Sequence, residues 1–86
     1  MVMKTQIVRN GKNYLVSTVY LGRSDPRIAK MYEPLGGGYE TMVFECDSDG
    51  DVKSYIDIYC DRYQTEHAAM LGHAETVNSF VSPSED

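Results

Sequence analysis

Hydrophobic and polar residues alternate along much of this 86-residue chain, and the period of the pattern changes near residue 65. A period of two predicts β-strands, because successive strand side chains point to opposite faces. Runs of this kind, or runs rich in β-branched and aromatic residues, cover residues 5–9, 14–21, 39–46 and 52–60. The last run alternates most clearly, and its predicted inward face carries Val52, Ile56, Ile58 and Cys60.

Turn-forming residues separate these runs. Asn10 and Gly11 tolerate positive φ, so the first two runs are expected to form a hairpin. Both faces of residues 14–21 are fairly apolar, which indicates a strand in the middle of the sheet. In the third run, Met42 and Phe44 are expected to fill the core.

The connection between the second and third runs is long for so small a domain. Ser24 and Asp25 followed by Pro26 predict the start of a helix. Residues 27–33 are enough for about two turns. Pro34 and the three glycines at 36–38 should end this helix.

From Thr65 onwards the apolar period becomes 3.6 residues, which predicts a helix over residues 66–81 with Thr65 as its N-cap. Its sheet-facing stripe is expected to be Met70, Ala74, Val77 and Val81. The chain is therefore predicted to be one α+β domain over residues 1–82, with a frayed tail at 83–86. In this domain a four-stranded antiparallel sheet carries a C-terminal helix on one face and a short helical turn in the connection between strands 2 and 3. The opposite face is expected to be solvated or to make contacts, so a homodimer is plausible.

Charge is distributed unevenly along the sequence. Residues 1–32 carry six basic side chains and one acidic one, whereas residues 33–86 carry two basic and twelve acidic ones. The net charge of −5 argues against direct binding of nucleic acid, because phosphate neutralisation supplies most of that affinity. The N-terminal residues lack the apolar segment of a secretory signal, and no run is long enough to span a bilayer.

The chain contains cysteine and histidine, which can bind metals or take part in catalysis, but these residues do not form a recognised motif. Cys46 and Cys60 are expected to be reduced, in an intracellular protein, and neither a metal nor a cofactor is predicted. His67 and His73 lie six residues apart, unlike the pair four apart on a metal-binding helix. His73 is instead expected to form a hydrogen bond at the edge between helix and sheet. We therefore expect a protein without enzymatic activity.

Two groups of residues are candidates for binding. The first is an acidic set with tyrosines, which would act as a protein-binding surface: Asp49, Asp51, Tyr55, Asp57, Tyr59 and Asp61. The second combines cations with a glycine run and would hold an anion: Arg23, Arg27, Lys30, Gly36, Gly37 and Gly38. In each case the alternative is an ordinary solvated surface. Alternating carboxylates near Gly50 are interpreted as a hairpin turn and not as a calcium loop.

Three stretches together resemble small uncharacterised proteins of tailed bacteriophages and prophages. Their pattern is STVxLG, then [FY]ETMVF, then RYxTxxxAxxGH, and it spans residues 16–73. The resemblance implies a setting in the host bacterial cytoplasm, and it implies no mechanism. Within these motifs, Glu40 and Arg62 are expected to form an ion pair across the sheet.

Three hypotheses for function follow from these features. The leading one is a phage accessory protein that binds a host protein, such as a defence or nucleic-acid-processing factor, through the acidic tyrosine set. The alternative is a sponge for a small phosphorylated ligand or nucleotide that uses the loop from Arg23 to Gly38. A structural or virion-associated module is the third.

Overall fold

Four antiparallel strands and two helices make up the computed structural model, which describes residues 2–23 and 25–81. The elements are β1 (Val2–Arg9), β2 (Lys12–Tyr20), α1 (Pro26–Tyr32), a 3₁₀ turn (Glu33–Leu35), β3 (Tyr39–Cys46), β4 (Tyr59–Tyr63) and α2 (Glu66–Val81). The strands lie in the order β1-β2-β3-β4, and α2 packs across one face. The predicted α+β architecture is confirmed. Ser24 and the predicted tail at 83–86 lie outside the described residues.

The β1–β2 hairpin forms as its turn residues predict. Asn10 and Gly11 have φ angles of 52° and 77°, which bring the two strands directly alongside each other. Eight consecutive pairs join the strands, and β1 begins at Val2, three residues earlier than the pattern suggested. β2 has β1 on one side and β3 on the other, so its predicted central position is confirmed.

The fourth strand was predicted in the wrong place. Val52 forms an isolated bridge with Cys46, and the chain then leaves the sheet until β4 begins at Tyr59. Ile56 and Ile58, expected to face the core, are 81% and 55% exposed. The alternation of apolar and polar residues indicates which side chains would share a face of a strand, but it does not indicate whether a partner strand is present.

Helix α2 begins as predicted but turns a different face to the sheet. The hydroxyl of Thr65 accepts a hydrogen bond from the Ala68 N–H at 3.1 Å, so the predicted N-cap is confirmed. Met70 and Ala74, placed in the predicted stripe, are exposed, whereas Val77 packs against the core. The side chain of Val81 lies outside the described part of the chain. The buried positions of α2 are instead Ala69, Gly72, His73 and Thr76.

The core lies between α2 and the strands β1, β2 and β3. Its buried apolar residues are Ile7, Val16 and Val43, with Tyr14, Val77 and Phe80 packed against them. Thr41 and Val43 face α2, so Met42 and Phe44 lie on the opposite face and do not fill this core. Phe44 packs edge-on against Tyr55 there, with ring centroids 5.8 Å apart. The expected role of Met42 and Phe44 was therefore wrong.

A chain of polar side chains explains why α2 turns its polar residues inward. His73 is 4% exposed, and its two ring nitrogens lie 2.9 Å from the Thr5 hydroxyl and 2.7 Å from the Thr18 hydroxyl. Thr18 is bonded in turn to Thr41. These threonines occupy the helix-facing side of β1, β2 and β3. A helix that offered only apolar side chains would leave the Thr5 hydroxyl and the Thr18–Thr41 pair without the imidazole that joins them. The predicted hydrogen bonding of His73 is confirmed, although the residue is buried under the helix.

His73 should make the fold sensitive to mild acid. Its burial lowers the pKa of the imidazole below the ordinary value of about 6.5. Between that value and the lower native one, the unfolded chain takes up a proton that the folded chain does not. We therefore expect the contribution of His73 to be complete above pH 6.5 and to be lost progressively as the pH falls, measured by urea denaturation at a series of pH values.

Two variants separate this effect from the titration of carboxylates. His73→Gln should lower the stability at neutral pH but remove the loss that begins just below pH 6.5. His67→Gln alters an exposed histidine in the first turn of α2 and should keep that loss. An unchanged pH profile in His73→Gln would show that the buried imidazole is not its source.

Candidate functional site

A groove of about 450 Å³ separates β4 from α2 on the helix-bearing side of the sheet. Tyr59, Asp61 and Tyr63 form its β4 wall, because alternate residues of a strand share one face. The α2 wall presents Leu71, Glu75 and Ser79, spaced four apart on one flank of the helix, together with Ala68, Gly72, Thr76 and Phe80. The groove lies at the β4 edge of the sheet and is open to solvent.

Every charged side chain among the groove's lining residues is acidic. Asp61 stands on one wall and Glu75 on the other. The hydroxyl of Tyr59 donates to the Asp61 carboxylate at 3.4 Å, and the Tyr59 ring contacts Phe80. Burial, reinforced by the negative charge of Asp61, raises the pKa of Tyr63 to about 12. The groove therefore has a negative potential and keeps Tyr63 a neutral hydroxyl over the physiological range.

Apolar surface is available in the same place. Leu71 is 53% exposed and Tyr59 is 36% exposed. Gly72 allows this arrangement, since a Cβ atom at that position would overlap the Tyr63 ring. The groove thus combines two carboxylates, two tyrosine hydroxyls and an accessible leucine.

The structure divides the acidic tyrosine set that the sequence had grouped together. Tyr59 and Asp61 line the groove, whereas Tyr55 lies against Phe44 on the other face of the sheet. Asp57 is exposed in the segment before β4, and Asp49 and Asp51 occupy the turn after β3. These six residues do not share one face of the sheet, since residues 52–58 are not a strand.

Sequence reasoning missed the α2 wall of the groove. Leu71, Glu75 and Ser79 recur four residues apart, a spacing that places them on one flank of a helix. That signal was present but mixed a leucine with polar residues, so it did not stand out as an apolar stripe.

The turn after β3 is explained by its own hydrogen bonds. The Asp47 carboxylate accepts from the N–H groups of Asp49 and Asp51, and Gly50 has a φ of 87°. The predicted hairpin-type turn is therefore present. Within residues 2–23 and 25–81, no group of three or more potential ligands is placed to hold a metal ion.

Glu40 and Arg62 meet across β3 and β4 as directly opposed residues and form an ion pair. The guanidinium of Arg62 also stacks on the ring of Tyr32, 4.4 Å from the centroid. This pair lies on the face opposite α2. It ties β4 to β3 and to the C-terminal end of α1, and so holds one wall of the groove in place.

In the proposed anion loop one cation is already paired with a carboxylate, and two of the glycine N–H groups are engaged. Arg27 forms an exposed ion pair with Asp25, while Arg23 and Lys30 are exposed. The N–H groups of Gly36 and Gly37 donate to the carbonyls of Glu33 and Tyr32. These two donors are therefore committed within the turn.

Gly37 and Gly38 are buried. A Cβ atom at Gly37 would overlap the backbone of Tyr63, and one at Gly38 would crowd Ala29. The glycine run thus lets the connection pack closely against β4 and α1, which is a structural reason for these residues.

Among the residues that the structure describes, no helix is long and apolar enough to cross a membrane. No protein-family model matches the chain, and searches of the curated proteins and of the solved structures find no match either.

Proposed function

We propose that this chain acts by binding, and that the groove between β4 and α2 receives a basic, partly apolar segment of a partner protein. The observation that carries the proposal is that Asp61 and Glu75 lie on opposite walls of a groove that also presents an exposed leucine, Leu71. Carboxylates on both walls favour lysine or arginine, and Leu71 offers a contact for an apolar neighbour.

The size of the groove agrees with such a ligand. A volume of about 450 Å³ accommodates a few side chains, and the groove is open along its length. Tyrosines contribute contact area at low entropic cost and are enriched in binding surfaces. Tyr59 and Tyr63 supply this area here.

The resemblance to small phage proteins gives the proposal its setting. In that setting the chain is a non-enzymatic accessory protein and the partner is a host protein. Defence and nucleic-acid-processing factors are fitting partners, since proteins that contact nucleic acids present basic surfaces. The acidic groove would then occupy a surface that otherwise meets phosphates.

The charge of the groove can be tested with a defined probe. A fluorescent peptide of alternating leucine and lysine should bind the protein, whereas the matched leucine–glutamate peptide should not. Replacing Glu75 with lysine should weaken binding about tenfold, or about 1.4 kcal/mol, because it places a like charge beside the ligand. Fluorescence anisotropy at several salt concentrations measures the change.

Matched control variants localise the effect. Asp49→Lys makes the same change of charge in the exposed turn after β3, away from the groove, and should leave the affinity within about twofold. Leu71→Ser should weaken binding, whereas Met70→Ser changes an equally exposed residue on another flank of α2 and should not. Equal effects of Glu75→Lys and Asp49→Lys would mean that the groove is not the binding site.

A further inference from the structure

β1 is one of the two free edges of the sheet, and its unpaired backbone groups fall on alternate residues. The Leu21 N–H donates to the Gly38 carbonyl, so the odd-numbered residues of β2 bond towards β3 and the even-numbered ones towards β1. The β1–β2 register places these even-numbered residues of β2 opposite odd-numbered residues of β1. The backbone groups of the odd-numbered residues of β1 therefore bond to β2. The N–H and C=O groups of the even-numbered residues, Val2, Lys4, Gln6 and Val8, therefore point away from the sheet.

This edge lacks most features that prevent strands from pairing with another chain. β1 is eight residues long, pairs with β2 without interruption and contains no proline. Its side chains on the face opposite α2 include Val2 and Val8, which are 45% and 61% exposed. An open edge of this length is a template for a further strand.

The other edge is protected. β4 has five residues, and the Asp61 carboxylate accepts a hydrogen bond from the Arg62 N–H. By the same register argument, the even-numbered residues of β4 carry the outward backbone groups, so this bond occupies a donor at the free edge. The contrast between the edges singles out β1.

We propose that two copies of this chain pair through β1 in antiparallel orientation, forming one continuous eight-stranded sheet. In the register that places Val2 opposite Val8 of the second copy, Lys4 faces Gln6 of that copy and all four outward-bonding residues find partners. If the second strand shifts by two residues in one direction, Lys4 lies opposite Lys4 of the second copy. If it shifts by two residues in the other direction, Val2 has no partner in the second strand. Like charges directly opposite are unfavourable, which disfavours the first shift, and the second shift loses the backbone hydrogen bonds of Val2, so the unshifted register is preferred.

The helix supports the same arrangement. Leu71, Glu75 and Ser79 occupy the flank of α2 beside β4, so Met70 and Ala74 lie on the flank towards β1. Both are exposed, and Met70 is 49% accessible. In a dimer paired through β1, the two-fold axis makes these flanks of the two α2 helices face each other, so that their apolar side chains become less exposed. This accounts for apolar residues that α2 does not use in its own core.

Cysteine pairs test the register. In a Cys60→Ser background, the double variant Lys4→Cys with Gln6→Cys should form a covalent dimer under mild oxidation, because hydrogen-bonded pairs have Cα atoms about 5.5 Å apart. Lys4→Cys alone should cross-link only after a slip in one direction, and Gln6→Cys alone only after a slip in the other. Both single variants should therefore remain monomeric on non-reducing gels. Efficient cross-linking of either one would overturn the register.

Charge variants test the dimer itself by sedimentation equilibrium. Gln6→Glu places a carboxylate opposite Lys4 of the second copy, whereas Gln6→Lys places a like charge there, so the dissociation constant of Gln6→Glu should be about tenfold lower than that of Gln6→Lys. Both variants lose the hydrogen bonds of the Gln6 amide to Asn13, Asp47 and Ser48, so they are compared with each other. Circular dichroism checks that both variants fold. A wild-type chain that stays monomeric at high concentration, or variants with equal dissociation constants, would contradict the proposal.

Discussion

Replacing Glu40 with alanine should lower the free energy of unfolding by about 3 kcal/mol, because the change leaves a partly buried guanidinium without its counter-ion. Glu40 is 8% exposed and its partner Arg62 is 24% exposed at the side chain. The Nη1 atom of Arg62 is buried and has no hydrogen-bond partner even in the intact pair. The loss of Glu40 would remove the main compensation for that burial.

Urea denaturation at a fixed protein concentration measures the change, and Arg27→Ala is the matched comparison. Arg27 also forms an arginine–carboxylate pair, but its side chain is 89% exposed, so its loss should change the free energy of unfolding little. The double variant Glu40→Leu with Arg62→Met should recover much of the stability that Glu40→Ala loses. If Glu40→Ala cost no more than Arg27→Ala, the pair would not hold β4 to β3.

Local sequence signals predicted the elements whose form is decided locally. The hairpin depends on Asn10 and Gly11, and the start of α2 depends on the hydroxyl of Thr65. Each signal acts within a few residues, so the sequence is sufficient to find it. The central position of β2 was predicted from its apolar character on both faces, and the structure confirms it.

Features that depend on distant partners were not predictable in the same way. The start of β4 is decided by pairing with β3, where Tyr59 opposes Val43. The buried face of α2 is decided by three threonines of the sheet, which select His73 over the apolar stripe. Periodicity could not reveal either choice, because both depend on residues more than fifteen positions away along the chain.

These distant contacts also decide where the candidate site lies. With β4 at Tyr59–Tyr63, Tyr59 and Asp61 face α2 and not the open side of the sheet. The groove and the β1 edge therefore occupy opposite sides of the molecule. A dimer through β1 would carry two grooves at the ends of one sheet, and such a dimer gains avidity for a partner that presents two basic segments.

The second large loss of stability is expected from a substitution of Gly37. Gly37→Ala should destabilise the fold by about 3 kcal/mol, since positive φ and steric overlap act together there. Its φ is 124°, and an added Cβ atom would overlap the carbonyl group of Tyr63 and crowd the N–H of Gln64. These are backbone atoms, so a change of side-chain rotamer cannot relieve the clash. The connection would have to move away from β4.

Gly11→Ala separates the two causes. Gly11 also has positive φ, 77°, but a Cβ atom there would meet no other heavy atom within 4 Å. Its substitution should cost about 1 kcal/mol, the conformational cost of a φ near the left-handed region. Urea denaturation of both variants gives the difference, which combines the steric overlap with Tyr63 and the larger conformational cost of a φ of 124°. Equal losses in Gly37→Ala and Gly11→Ala would show that this contact yields easily, and the glycine run would then need an explanation other than close packing.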